Sequence, residues 1–299
     1  MGDPGVGAGT TRTAGETKLE RVAVLGAGVM GHGIAQAAAM SGSETRLFDP
    51  DPGALDGAGE RVRANLRKGL ELGKVSQAQM DAALDRLSPA PDLATAVRGA
   101  TMVIEAAPER LAIKRALFAD CVRHASPGTV LASNTSSIPI GLLQEGMPHP
   151  GAMVGMHFFN PVHLMRLAEI VRGPATAEET VDRARAAAQA MGKTVIVVND
   201  APGFASSRLG VALGLEAIRM VEEGVASPED IDTAMSVGYR HPMGPLRLTD
   251  LVGLDVRLDI ARSLSAGLES SRFEPPALLV RMVDEGKLGK KTGEGFYKW

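Results

Sequence analysis

Residues 21–31 read Arg21-Val22-Ala23-Val24-Leu25-Gly26-Ala27-Gly28-Val29-Met30-Gly31, and this stretch decides the fold. A short apolar run ends on a glycine, and the glycines at 26, 28 and 31 fit the spacing G-x-G-x-x-G. The Ala-rich segment from Gly31 to Ser41 predicts a helix, and Thr45 to Asp49 predicts a second strand that closes on an acid 18 residues past Gly31. Strand, glycine turn, helix and strand in that order open a parallel α/β sheet. Each glycine has its own duty in such a turn. Gly26 permits the tight turn, Gly28 lets backbone approach a pyrophosphate, and Gly31 lets the helix pack on the strand. The helix N-terminus then turns its partial positive charge toward the phosphates. Asp49 is placed to accept hydrogen bonds from ribose hydroxyls and to repel a 2′-phosphate. Pro50-Asp51-Pro52 brings no cation to offset that repulsion, so the dinucleotide expected is NAD rather than NADP.

Working outward, Pro52 to Leu87 turns helical. Val62, Leu66, Gly69 and Leu70 share one face, and Ser76 with Gln79 forms a capping box for a second helix. A helical hairpin inserted into the sheet topology is predicted. Strands resume at Met102–Ala106 and Val130–Ser133 with a helix, Glu109–Cys121, between them. Apolar runs follow at Ala152–His157 and Leu167–Val171, then a helix at Ala177–Met191 and a β-branched strand at Thr194–Val198. After Asp200-Ala201-Pro202-Gly203 the pattern is helical only, with a clear helix start at Ser227-Pro228-Glu229-Asp230. The fold expected is an α/β Rossmann-type dinucleotide-binding domain over residues 18–200, followed by an all-α C-terminal domain over 201–299. Residues 1–17 are rich in Gly, Thr and Ala and are expected to form a disordered tail.

Composition narrows the class further. The chain has 299 residues, 44% hydrophobic and 22% charged, with a net charge of -3, so no basic excess points to nucleic acid. No apolar run reaches the ~18 residues of a membrane span. The lone Cys121 cannot make an internal disulfide, which fits a reducing, cytoplasmic setting, and its expected place is the core. No metal-ligand pattern stands out.

Three later segments carry chemistry: Ser133-Asn134-Thr135-Ser136-Ser137, His157-Phe158-Phe159-Asn160-Pro161 and Leu167-Ala168-Glu169. Oxidising a secondary alcohol requires removal of its O–H proton as hydride leaves carbon, and an imidazole with an ordinary pKa of about 6.5 can take that proton at neutral pH. A carboxylate on the other ring nitrogen fixes the tautomer and stabilises the imidazolium. His157 and Glu169 lie 12 residues apart on two predicted strands, so no single helix face can pair them and the fold must do so.

Together with the glycine turn, these segments resemble the L-3-hydroxyacyl-CoA dehydrogenase family. Asp200-Ala201-Pro202-Gly203-Phe204, Gly244-Pro245-Leu246 and Lys291-Thr292-Gly293-Glu294-Gly295-Phe296-Tyr297 resemble its motifs too, so the likeness runs over roughly residues 19–299. The resemblance implies His157 as catalytic base, Glu169 as its carboxylate partner and Ser136 as a hydroxyl on the reacting oxygen. It places Glu109 and Lys114 near the cofactor. Asn160 either contacts substrate or shapes the turn before Pro161. One position departs: where the family commonly has Asn a few residues after Pro-Gly-Phe, this chain has Ser207, shorter and lacking the amide's donors.

The resemblance also implies an acyl-CoA substrate whose phosphates meet the hairpin, where Arg61, Arg67, Lys68 and Lys74 are the available cations, each equally readable as a solvated helix face. It implies a short substrate of the 3-hydroxybutyryl type, and a homodimer formed through the C-terminal domain. Val211, Leu213, Leu215 and Ile218 are readable either as that dimer surface or as core. Three competing functions stand beside this one. They are the same chemistry on an acyl-carrier-protein thioester, a β-hydroxyacid dehydrogenase (where the base is typically lysine), and a crystallin-like NAD-binding protein without catalysis.

Overall fold

The computed structural model describes residues 21–299. The tail expected over residues 1–17 lies outside the described residues.

The sheet begins with β1 (Arg21–Leu25), followed by α1 (Gly31–Met40) and β2 (Glu44–Phe48). Next come the two hairpin helices, α2 (Pro52–Glu71) and α3 (Gln77–Arg86), and the short strand β3 (Leu87–Pro89). Then follow α4 (Leu93–Val97), β4 (Met102–Glu105), α5 (Leu111–His124), β5 (Val130–Ser133) and α6 (Ile140–Gln144). The unit ends with β6 (Met153–Phe158), β7 (Leu167–Arg172), α7 (Glu178–Ala190) and β8 (Thr194–Asn199). The strands form one sheet in the order β3-β2-β1-β4-β5-β6-β7-β8. All neighbours run parallel except β6 and β7, which are antiparallel, so the last two strands reverse direction.

Alternation along each strand builds two cores. Val22 and Val24 of β1 face α1 and α7, while Ala23 and Leu25 face Phe118 and Cys121 of α5. Cys121 is buried as expected, and burial pushes its thiol pKa up to about 12, which leaves it inert. α1 is covered on nearly every side, which explains its small residues. A Cβ on Gly33 would come within 2.9 Å of Val162. The hairpin predicted over 52–87 is present, capped at α2 by Asp51 and at α3 by the Ser76–Gln79 box. Val62 and Leu66 pack with Ala39 of α1 and Ala83 of α3.

Beyond β8 the chain is helical: α8 (Ser206–Glu222), α9 (Pro228–Thr233), α10 (Pro245–Val252), α11 (Leu254–Leu268) and α12 (Ala277–Asp284). Their shared core contains Val211, Leu215 and Ile218, with Leu213 half-buried, so the first three are core residues within the chain. Among the apolar side chains that this unit exposes, Leu209, Leu248, Leu251, Val252 and Val256 lie on α8, α10 and α11. No helix among the described residues is long and apolar enough to cross a membrane.

Candidate active site

The glycine turn is arranged as the sequence predicts. Gly26 has φ +106°, and a Cβ there would meet the Ala106 carbonyl oxygen at 2.5 Å; one on Gly31 would strike the Gly26 oxygen at 1.7 Å. Those two glycines are demanded by the protein's own packing. Gly28 differs, because a Cβ there would meet nothing within 4 Å, and the residue is exposed. Folding alone gives no reason for glycine at 28; a ligand lying against its backbone does. Asp49 follows β2 and accepts from the Ala27 amide at 2.7 Å and the Asp51 amide at 3.0 Å, which fixes its carboxylate at the turn. Gly26, Gly28, Asp49 and Pro108 border a cleft of about 820 Å³. Space, glycine approach and acid all fit an NAD adenosine half.

Arg61, exposed like the other hairpin cations, also reaches back from α2 and donates to the Ala27 carbonyl at 2.9 Å. Ala27 is therefore held from both sides, by Asp49 on its amide and Arg61 on its oxygen. Arg67 and Lys74 are exposed, and Lys68 pairs with Glu71 at 3.0 Å on the solvent side.

A second polar network lies where β4 and β5 end. Lys114 is only 1% exposed; its ammonium meets Glu105 at 2.6 Å and Glu109 at 3.1 Å. Glu105 is fully buried and also accepts from Ser133 Oγ at 2.6 Å. Glu109 is exposed and gathers the turn that carries Ser136: it accepts from the Thr135 hydroxyl and from the Ser136 and Ser137 amides. Burial alone would raise the Glu109 pKa, but the Lys114 charge and the Thr135 hydrogen bond outweigh it and hold the carboxyl below its usual range. Lys114 thus contributes from inside the protein, through Glu109. The Ser136 hydroxyl itself makes no hydrogen bond among the described residues.

His157 and Glu169, separated by 12 residues, are directly opposite each other in the antiparallel β6–β7 pair. His157 Nδ1 lies 2.8 Å from Glu169 Oε2. Glu169 has no exposed surface, and His157 has 7%. Burial pushes the Glu169 carboxyl up, yet hydrogen bonds from His157 and Ser206 prevail and keep its pKa below the usual 4.5. Nε2 of His157 makes no hydrogen bond among the described residues, so the ring is anchored by one nitrogen and free at the other. Phe159 packs on the imidazole with centroids 4.5 Å apart, and Phe204 stands 6.0 Å away. Phe158, by contrast, is wholly core. Gly203 and Phe204 both have positive φ, +74° and +49°, which turns the chain from β8 toward α8 and sets Phe204 beside His157.

Asn134 Oδ1 accepts from the Phe158 amide at 2.9 Å, which ties the Ser136 turn to the end of the strand bearing His157. Asn160 is exposed and precedes Pro161 in the β6–β7 loop. Lys193, lowered in pKa by burial, donates to the Val162 and Met165 carbonyls and holds that loop. Ser207 is half-buried and makes no side-chain hydrogen bond among the described residues. Its neighbour Ser206, which sequence reading passed over, donates to Glu169 Oε2 at 2.6 Å. A single-position ambiguity at the start of a helix separates the two serines, and only the direction of the first turn resolves it.

An imidazole with a free nitrogen, backed by a buried carboxylate on the same sheet that carries the glycine turn, can accept a proton from an alcohol beside a hydride acceptor. Comparison with known proteins agrees with that chemistry. Residues 21–201 match the NAD binding domain of 3-hydroxyacyl-CoA dehydrogenase, and residues 203–299 match its C-terminal domain. A probable 3-hydroxybutyryl-CoA dehydrogenase of Bacillus subtilis is 44% identical, over 94% of this chain and 98% of its own. The 3-hydroxybutyryl-CoA dehydrogenase of Mycobacterium tuberculosis is 42% identical, over 94% and 99%. The crystal structure of (S)-3-hydroxybutyryl-CoA dehydrogenase from Ralstonia eutropha is similar with a TM-score of 0.90 at 35% identity, covering 94% of this chain and 99% of that one. By sequence over nearly its whole length and by fold, the chain belongs to the 3-hydroxyacyl-CoA dehydrogenase family.

Proposed function

We propose that this chain catalyses the reversible oxidation of a short L-3-hydroxyacyl-CoA, of the 3-hydroxybutyryl type, to the 3-oxoacyl-CoA. The observation that carries the proposal is the His157–Glu169 pair, 2.8 Å apart, with Nε2 free of hydrogen bonds among the described residues. NAD, when bound, accepts the hydride. His157 Nε2 takes the hydroxyl proton, and Glu169 steadies the imidazolium through Nδ1. The Ser136 hydroxyl, on a turn held by Glu109, donates to the substrate oxygen as charge builds there. Ser207 stands where an amide is common in the family and supplies a shorter donor to the same oxygen. Asn160, exposed after β6, meets the substrate at the mouth. Asp49, Gly26, Gly28 and Gly31 receive the adenosine ribose and pyrophosphate, with Glu109 and Lys114 toward the nicotinamide ribose.

Arg67 and Lys68 on exposed α2 serve the CoA phosphates, and Arg61 is assigned to the dinucleotide turn instead. Residues 18–200 act as the cofactor unit and 201–299 as the substrate and dimer unit. The homodimer forms through the exposed apolar side chains of α8, α10 and α11: Leu209, Leu248, Leu251, Val252 and Val256. The protein works in the cytoplasm.

The test follows absorbance of NADH against acetoacetyl-CoA, with NADPH and the matching carrier-protein thioester in parallel. Rapid NADH consumption with the CoA ester alone supports the proposal. Preference for the carrier-protein thioester would move the substrate class, and NADH binding without turnover of either thioester would place the chain with crystallin-like binding proteins.

A further inference from the structure

Glu169 is surrounded more completely than its role beside His157 requires. Its Oε1 accepts from the amides of Ala205 at 3.2 Å and Ser206 at 2.9 Å, and its Oε2 accepts from Ser206 Oγ at 2.6 Å. Oε2 is also the oxygen 2.8 Å from His157 Nδ1. Four donors thus occupy a carboxylate with about four lone-pair sites. Three of the four come from the entry to α8, outside the sheet that carries Glu169. The amides come with any residue; only the hydroxyl of Ser206 is a choice made by the sequence.

We propose that Ser206 is a positioning residue for the proton transfer: by donating to Glu169 Oε2 it sets how tightly the carboxylate holds the His157 imidazolium, and it makes that grip depend on the seating of α8 against β7. The proposal rests on the assignment of His157 as base made above. Its physics is competition for one oxygen. A hydroxyl on Oε2 satisfies part of that oxygen's charge, so less is available for Nδ1–H. Without the hydroxyl, Oε2 would answer to His157 alone and hold an imidazolium more tightly. Geometry also matters, because the Ser206 hydroxyl caps an oxygen of a carboxylate that has no exposed surface.

The experiment follows the His157 ring by NMR of protein labelled at histidine Cε1, with the signal assigned through the His157→Gln variant. The pH dependence of kcat/KM for hydroxyacyl-CoA oxidation is recorded in parallel. Ser206→Ala is expected to move both the His157 titration and the acidic limb of kcat/KM upward by about half a pH unit or more. Ser206→Thr, which keeps the hydroxyl, should return both to their original positions. A Ser206→Ala protein that melts earlier while both curves stay in place would make the serine a structural residue and overturn the proposal. A titration that moves while the acidic limb stays fixed would overturn the assignment of His157 as base instead, so the two failures are told apart.

Discussion

Glu169 and Asp250 look alike on burial and bonding, yet they sit in regions with opposite purposes. Glu169 is fully enclosed and collects donors from Ala205 and Ser206, some 36 residues away. Asp250 is 1% exposed and collects the amides of Phe296 and Tyr297 and the indole of Trp299, each at 2.9 Å and 46 to 49 residues away. What separates them is the remaining partner. Glu169 holds an imidazole whose other nitrogen is free, so its charge can be felt by a reaction. Asp250 holds only groups that do not ionise in its neighbourhood, so its charge serves to clamp the C-terminal segment on α10. Nearby, Asp232 does the same for the start of α10, accepting from the Leu246 and Arg247 amides and the Tyr297 hydroxyl. The glycines of these motifs follow from the clamps: a Cβ on Gly295 would meet Asp250 Oδ1 at 2.3 Å, and one on Gly244 would meet Asp232 Cγ at 2.2 Å. Gly244-Pro245-Leu246 and the Lys291–Tyr297 stretch mark the family through architecture, whereas the segments around His157 and Glu169 mark it through chemistry.

The contrast can be broken by exchanging the expected effects. Glu169→Gln keeps the side chain's shape but removes the charge behind the imidazole, so kcat/KM should fall on the order of 10³-fold; a loss under about tenfold would put Glu169 in the same class as Asp250. Asp250→Asn should do the reverse. Its amide nitrogen would confront N–H donors, which costs about 2–3 kcal/mol in urea unfolding. Well below the melting temperature kcat/KM should change by less than about threefold. Preserved stability with lost activity would show that the clamp shapes the site.

Gly28→Ala sharpens the comparison within the cofactor turn. Because no protein atom lies within 4 Å of the added carbon, the melting temperature should hold while KM for NAD rises about tenfold, a loss of roughly 1.4 kcal/mol. Unchanged KM would mean that no ligand backbone approach occurs there.

The smallest effect is in stability against pH. The folded Glu169 carboxyl is held below 4.5, so its stabilising contribution is complete above that value and is lost as pH falls through the lower folded value. Unfolding free energies of wild type and Glu169→Gln should therefore converge as pH drops below 4.5. Parallel curves through that range would contradict the cause assigned to the shift.

Much of the cofactor half was legible in the sequence. β1 and β5 fall at the predicted residues because each is a short apolar run bounded by turn or polar signals. β3, α4 and α6 went unread since three to five residues show no period. The reversal at β7 was also hidden: an apolar run reads the same in either direction, and Leu167–Arg172 carries no mark of its polarity. That reversal is what sets Glu169 opposite His157. The two residues were legible as partners by chemistry, while the ladder that joins them was not. The Arg61–Ala27 hydrogen bond was hidden for a related reason, since helical spacing tells which face a long side chain leaves and not how far it folds back. The burial of Lys114 was equally out of reach, because its neutralising acid, Glu105, reads in sequence as the end of a strand.

The proposed catalysis turns on one nitrogen, Nε2 of His157. Reduction of acetoacetyl-CoA by His157→Gln in a single turnover, with NADH already bound and its affinity checked by fluorescence, tests it most directly. The expected result is unaltered NADH affinity with the hydride-transfer rate reduced by at least about 10²-fold across pH 6 to 9. A rate within about twofold of wild type would contradict it and require another group to deliver the proton.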